Sequence, residues 1–91
     1  MNAHIHAIIS GKVQGVYFRA STQQKAKQLN ITGHAKNLSD GTVEVIAIGE
    51  RNNIQKLLSW LHQGPSLAKV DHVNWTHCEN TDIKPQAFII L

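Results

Sequence analysis

The stretch Gly11-Lys12-Val13-Gln14-Gly15-Val16-Tyr17-Phe18-Arg19 gathers residue types that can hold an anion. Two glycines bracket a short turn, so its backbone can take φ > 0 and come close to a ligand. Successive N–H groups in such a turn can converge on an anion. The helix-like segment that follows adds unpaired N–H groups and the positive end of a helix dipole. Arg19 supplies a planar, permanently charged fork that matches two phosphate oxygens at once. These residues describe a pocket for a small phosphorylated ligand. Common phosphate loops do not fit: a Walker loop needs Gly-Lys-Ser/Thr at its end, whereas Gly15 is followed by Val16-Tyr17. The step from Gly11 to Gly15 also departs from the Gly-x-Gly-x-x-Gly of dinucleotide folds. The spacing alone equally suits a strand-to-helix turn that carries an exposed arginine.

Periodicity defines the elements that must position these groups. Ile5, Ala7 and Ile9 alternate with His4 and His6 in a half-buried first strand. Phe18, Thr22, Ala26 and Leu29 recur at helical spacing, and Asn30 tolerates the left-handed conformation that ends such a helix. A second strand is expected from about Thr32 to Leu38, a hairpin turn at Ser39-Asp40-Gly41, and a β-branched third strand from Thr42 to Ile48. Ile54, Leu57, Leu58 and Leu61 form the stripe of a second amphipathic helix, stopped at Gly64-Pro65. A fourth strand surrounds Val73 and Trp75, and Ala87 to Leu91 reads as a short fifth. The order β-α-β-β-α-β plus a short C-terminal strand predicts an α+β, ferredoxin-like (split βαβ) sandwich, an antiparallel sheet with two helices on one face.

That topology brings distant residues to one edge. A right-handed crossover makes the first and second strands parallel, so their C-terminal ends lie together. One delivers the Gly11–Arg19 loop and the other Asn37. With the third strand between them, a gap of about 10 Å separates the two, which suits a phosphate and a water molecule.

Composition bounds the rest. The 91 residues make one domain, 1–91. No run of about 18 apolar residues occurs, so no membrane role is expected. The start of the chain lacks an apolar signal-peptide core, and a single cysteine, Cys78, agrees with a reducing cytoplasm. A net charge of +3 favours anionic partners. Lys12, Arg19 and Lys36 fall in or beside the motifs, yet no basic block exists, so a small anion fits better than nucleic acid.

The full string Gly-x-Val-Gln-Gly-Val-x-Phe-Arg, followed by Gly33-His34-Ala35-Lys36-Asn37-Leu38-Ser39-Asp40-Gly41-Thr42-Val43-Glu44, closely resembles the acylphosphatase family. The likeness continues through Gly49, Gly64-Pro65, Ala68, Val70 and Phe88-Ile89-Ile90. A departure is His34-Ala35, where the family often has an aromatic residue and then valine. The resemblance implies hydrolysis of small acyl phosphates to carboxylate and inorganic phosphate, by in-line attack of water without a covalent intermediate. It implies that Arg19 and the amides of Val13, Gln14, Gly15, Val16, Tyr17 and Phe18 bind the phosphate, and that Asn37 orients the water. No metal and no cofactor is expected, and inorganic phosphate should inhibit as product. The chemistry is consistent with so few groups: the leaving carboxylate is already a stable anion, so no general acid is required.

Two rivals compete. An RNA-binding module shares this topology, but Thr42 to Gly49 contains no aromatic on which a base could stack. A non-catalytic anion-binding or regulatory module of ferredoxin-like fold is the alternative, opposed by the presence of both Arg19 and Asn37. Six histidines, with His4, His6 and His72 expected on one solvated face, lack any His-Glu-x-x-His or Cys-x-x-Cys spacing and read as surface residues. Trp60 and Trp75 read as packing residues. Phe18 is expected in the core, Tyr17 near the pocket mouth, and the chain is expected to be a monomer.

Overall fold

Alternation in the first strand settles which side of the sheet is buried. Ala3, Ile5, Ala7 and Ile9 are buried on one face, while His4, His6, Ile8 and Ser10 occupy the other. The computed structural model describes residues 2–78 and 85–91. The elements are β1 (Asn2–Lys12), α1 (Phe18–Gln28), β2 (Thr32–Asn37), β3 (Val43–Glu50), α2 (Arg51–Gln63), β4 (Lys69–His77) and β5 (Phe88–Ile90), the order expected from periodicity.

The sheet order is β4-β1-β3-β2-β5. β3 pairs antiparallel with both β1 and β2, which makes β1 and β2 parallel, as the crossover requires. The last strand departs from the antiparallel expectation: β5 lies parallel to β2, with Gly33 opposite Phe88 and Ala35 opposite Ile90. Its direction follows from its place. β4 occupies one edge, so the chain returns along the opposite edge in the reverse sense, which is the direction of β2.

Both helices cover the same face. Ile54, Leu57, Leu58 and Leu61 of α2 and Phe18, Thr22 and Ala26 of α1 pack against Val43, Val45 and Ala47 of β3 and Phe88 of β5. Thr22 is the one buried polar residue of this group, and its hydroxyl donates to the Phe18 carbonyl at 2.7 Å, so no polar atom is stranded. Trp60 sits beside Phe18 with ring centroids 5.9 Å apart. Trp75 differs from the packing role expected of it. It lies on the edge strand β4, where no further strand shields it, and remains 41% exposed with His77 edge-on at 5.1 Å.

The open face carries a polar cluster that sequence spacing conceals. His6 on β1 and His34 on β2 each donate from Nε2 to a separate oxygen of Glu44 on β3, both at 3.0 Å. Those two bonds, His34 first, hold the Glu44 carboxyl below the usual carboxylate range. Registry explains the cluster: His6 and His34 both face Ile46, two residues along β3 from Glu44 and on the same side of the strand. His72 stands opposite Ser10 and shares this face with His4 and His6, as alternation implied.

Candidate active site

The end of β1 is bent out of the ladder before it reaches the site. Register shifts between Ser10 and Gly11, and a Cβ on Gly11 would collide with the Lys69 carbonyl oxygen. A glycine there lets the strand leave the sheet as a loop. Gly15, at the tip, takes φ 75° with open space where a Cβ would stand, so its need for glycine is conformational. Val13 and Val16 anchor the loop below, both buried.

Tyr17, a residue 76% exposed, then adopts φ 63°, an uncommon left-handed conformation for an aromatic residue. Strain of this kind is tolerated where the surrounding structure enforces it. Its consequence is an abrupt start to α1. The first helical bond runs from the Ser21 N–H to the Tyr17 carbonyl at 3.0 Å, so the N–H groups of Phe18, Arg19 and Ala20 have no acceptor within the helix. Among the described residues no side chain caps them, and no acidic residue lies in the first turn to offset the positive end of the helix.

Opposite stands Asn37, the last residue of β2, on the helix-covered face with Ala35. Its Oδ1 is buried and has no hydrogen-bond partner among the described residues. A stranded acceptor of this kind costs about 1–3 kcal/mol. The turn behind it is well tied: Leu38 N–H donates to the Thr42 carbonyl at 2.9 Å and Gly41 N–H to the Leu38 carbonyl at 3.2 Å. Asp40 Oδ1 accepts from the Thr42 hydroxyl at 2.6 Å and the Thr42 N–H at 3.0 Å, bonds that lower the Asp40 carboxyl from its ordinary range.

Between loop and hairpin lies a cleft of about 370 Å³. Val13, Gly15, Tyr17, Phe18 and Arg19 line one side, Asn37 the other, and Ile90 of β5 the rim. Phe18 and Tyr17 divide as expected, one into the core and one at the mouth. Gln14 and Val16 are expected at the phosphate through their backbone amides alone, and their side chains stand away from the cleft. Val16 is buried, and the Gln14 side chain reaches away to the hairpin. Lys36 also stands apart, since it neighbours Asn37 in an extended strand and so faces the other side of the sheet. Sequence reasoning missed the contribution of the last residues. Arg19 Nη1 donates to the Leu91 main-chain oxygen at 2.8 Å, which leaves most of the guanidinium's five donors for other partners.

Comparison with known proteins agrees with this arrangement. The acylphosphatase family model matches residues 5–90. An acylphosphatase of Coxiella burnetii (strain Dugway 5J108-111) is 56% identical over 71 residues, covering 78% of this chain and 75% of that protein. A solved acylphosphatase structure from Coxiella burnetii superposes with a TM-score of 0.92 at 46% identity, covering 99% of this chain and 93% of the other. One from Bacillus subtilis gives 0.93 at 31% identity, covering 100% and 99%. A chain that matches these enzymes along nearly all its length, with its cleft formed by the β1–α1 loop and the end of β2, belongs to the acylphosphatase family, and its function is that of an acylphosphatase enzyme.

Proposed function

We propose that the cleft holds the phosphoryl group of a small acyl phosphate against Arg19 and the backbone amides of Val13 to Phe18, while Asn37 directs a water molecule at phosphorus. The observation that carries this reading is the unpartnered Asn37 Oδ1 in the same cleft as Arg19. An amide oxygen can accept a hydrogen bond from water, which aims the water's free lone pair away from the acceptor. The oxygen–phosphorus bond to water forms as the bond to the acyl oxygen breaks, and the electron pair leaves on a carboxylate. No covalent enzyme intermediate is needed, and inorganic phosphate, the product, competes for the same cradle. Arg19 and the uncapped helix start supply the positive potential that the developing charge requires. The chain is read as a single-domain monomer acting in the cytoplasm, supported by a core that absorbs the apolar stripes of both helices and by a lone Cys78.

Benzoyl phosphate hydrolysis tests the central idea. Turnover should survive exhaustive chelation, because fixed protein charges and dipoles stabilise the phosphoryl oxygens. Activity that vanishes with EDTA and returns with a divalent ion would replace this mechanism with a metal-assisted one.

Selectivity follows from the leaving group. An alkyl phosphate expels an alkoxide, which needs protonation, and general-acid assistance is worth roughly 10²–10⁴ in rate. Alkyl phosphates should therefore react at least ~10²-fold more slowly than benzoyl phosphate. Comparable rates on both would reveal a general acid and defeat the proposal.

A further inference from the structure

Gln14 belongs to the anion loop yet turns its side chain out of the cleft. Its Nε2 donates to the Leu38 carbonyl at 2.8 Å and to the Thr42 carbonyl at 2.9 Å, so both amide hydrogens are used. Leu38 follows Asn37 directly, and Thr42 precedes Val43, the residue paired with Asn37 across the hairpin. One amide group therefore grips both strands of the hairpin immediately beside Asn37.

The sheet itself does not perform this task. β1 and β2 are not neighbours, and the ladder joining β1 to β3 stops at Ile9 opposite Val43. Beyond that pair, the two Gln14 bonds are the only hydrogen bonds between residues 13–17 and the 37–42 hairpin among the described residues. The side chain is only partly buried, and each carbonyl it engages already accepts one backbone N–H. Neither carbonyl would be stranded without it, so a purely stabilising purpose is weakly served.

We infer that Gln14 is a positioning residue: its side chain fixes the distance and angle between the phosphate-holding loop and Asn37, and so the line along which water meets phosphorus. The inference rests on the reading of Asn37 given above. Displacement of a reacting partner by about 1 Å can cost on the order of 10² in rate, so a two-bond clamp at this point has large leverage on turnover. It has little leverage on phosphate affinity, because the loop's own amides and Arg19 remain in place.

Gln14→Met keeps the length and volume of the side chain and removes the donors. The variant should stay folded by thermal melt and bind inorganic phosphate within about twofold of the parent, while kcat on benzoyl phosphate falls roughly 10–10²-fold. Gln14→Asn keeps the amide but is one methylene short, and it should show the same split. It carries the test if the methionine variant does not fold. The decisive measurement is the double variant with Asn37→Ala. A clamp that acts through Asn37 has nothing left to position there, so Gln14→Met should lower kcat less than about twofold further. Full additivity of the two losses would overturn the inference, as would a loss of phosphate affinity in Gln14→Met that matches its loss of kcat. A failure of the Asn37 reading is separately visible: Asn37→Ala alone would then keep its turnover, whatever Gln14→Met does.

Discussion

Asn37→Ala is expected to lower turnover by roughly 10²–10³-fold, the usual cost of removing one positioned polar group from a preorganised site, while inhibition by inorganic phosphate stays nearly unchanged. The split follows from geometry. Asn37 stands across the cleft from the loop, and its buried Oδ1 lacks a partner among the described residues. On the proposed reading this acceptor takes a hydrogen bond from the attacking water, and removing it relieves an unsatisfied group in the free protein. The variant should thus be at least as stable as the parent in a thermal melt. Steady-state kinetics with benzoyl phosphate and phosphate competition check the pair of outcomes. A folded variant that keeps its turnover but loses phosphate affinity would assign Asn37 to the phosphate cradle.

Arg19→Ala should be more damaging and less selective. On the proposed reading its guanidinium engages the phosphoryl oxygens in ground and transition states alike, so kcat/KM should fall by about 10³-fold or more, in the range found for arginines that stabilise phosphoryl transfer. Phosphate should also cease to inhibit at concentrations that inhibit the parent. Arg19→Lys should recover little of either, because an ammonium is a point charge and cannot reproduce the planar fork. Stability should change little: Arg19 is only partly buried and its recorded bond, to the Leu91 oxygen, is exposed. A lysine variant with near-parental kinetics would show that charge alone suffices.

Elements with a strong period could be read directly from the chain. The Ile54, Leu57, Leu58, Leu61 stripe is buried throughout, and alternation separates the two faces of β1 from Ala3 to Ser10, up to the break before Gly11. The crossover rule then placed Arg19 and Asn37 on either side of one gap, and both line one cleft. Features set by registry or by edges were not legible. Phe88–Ile90 is too short to show a period, and its parallel pairing with β2 depends on which edge remains free. Glu44 lies 10 residues from His34 and 38 from His6, and only strand pairing unites them. Trp75 is apolar enough for a core but falls on the outer strand. Sequence places the backbone amide of Gln14 in the loop but says nothing of its side chain, which answers to carbonyls 24 and 28 residues away.

The bond from Arg19 to Leu91 spans 72 residues, and those from Gln14 to the hairpin span 24 and 28. Contacts between such distant positions must pay the entropy of loop closure before they return any stabilisation. Local helices can form early, but the groups that surround the cleft come together only when β2, β3 and β5 have taken their final neighbours. On the proposed reading of the cleft, the onset of hydrolysis during refolding should time the last consolidation of the sheet, so that catalysis doubles as a clock for the completion of topology.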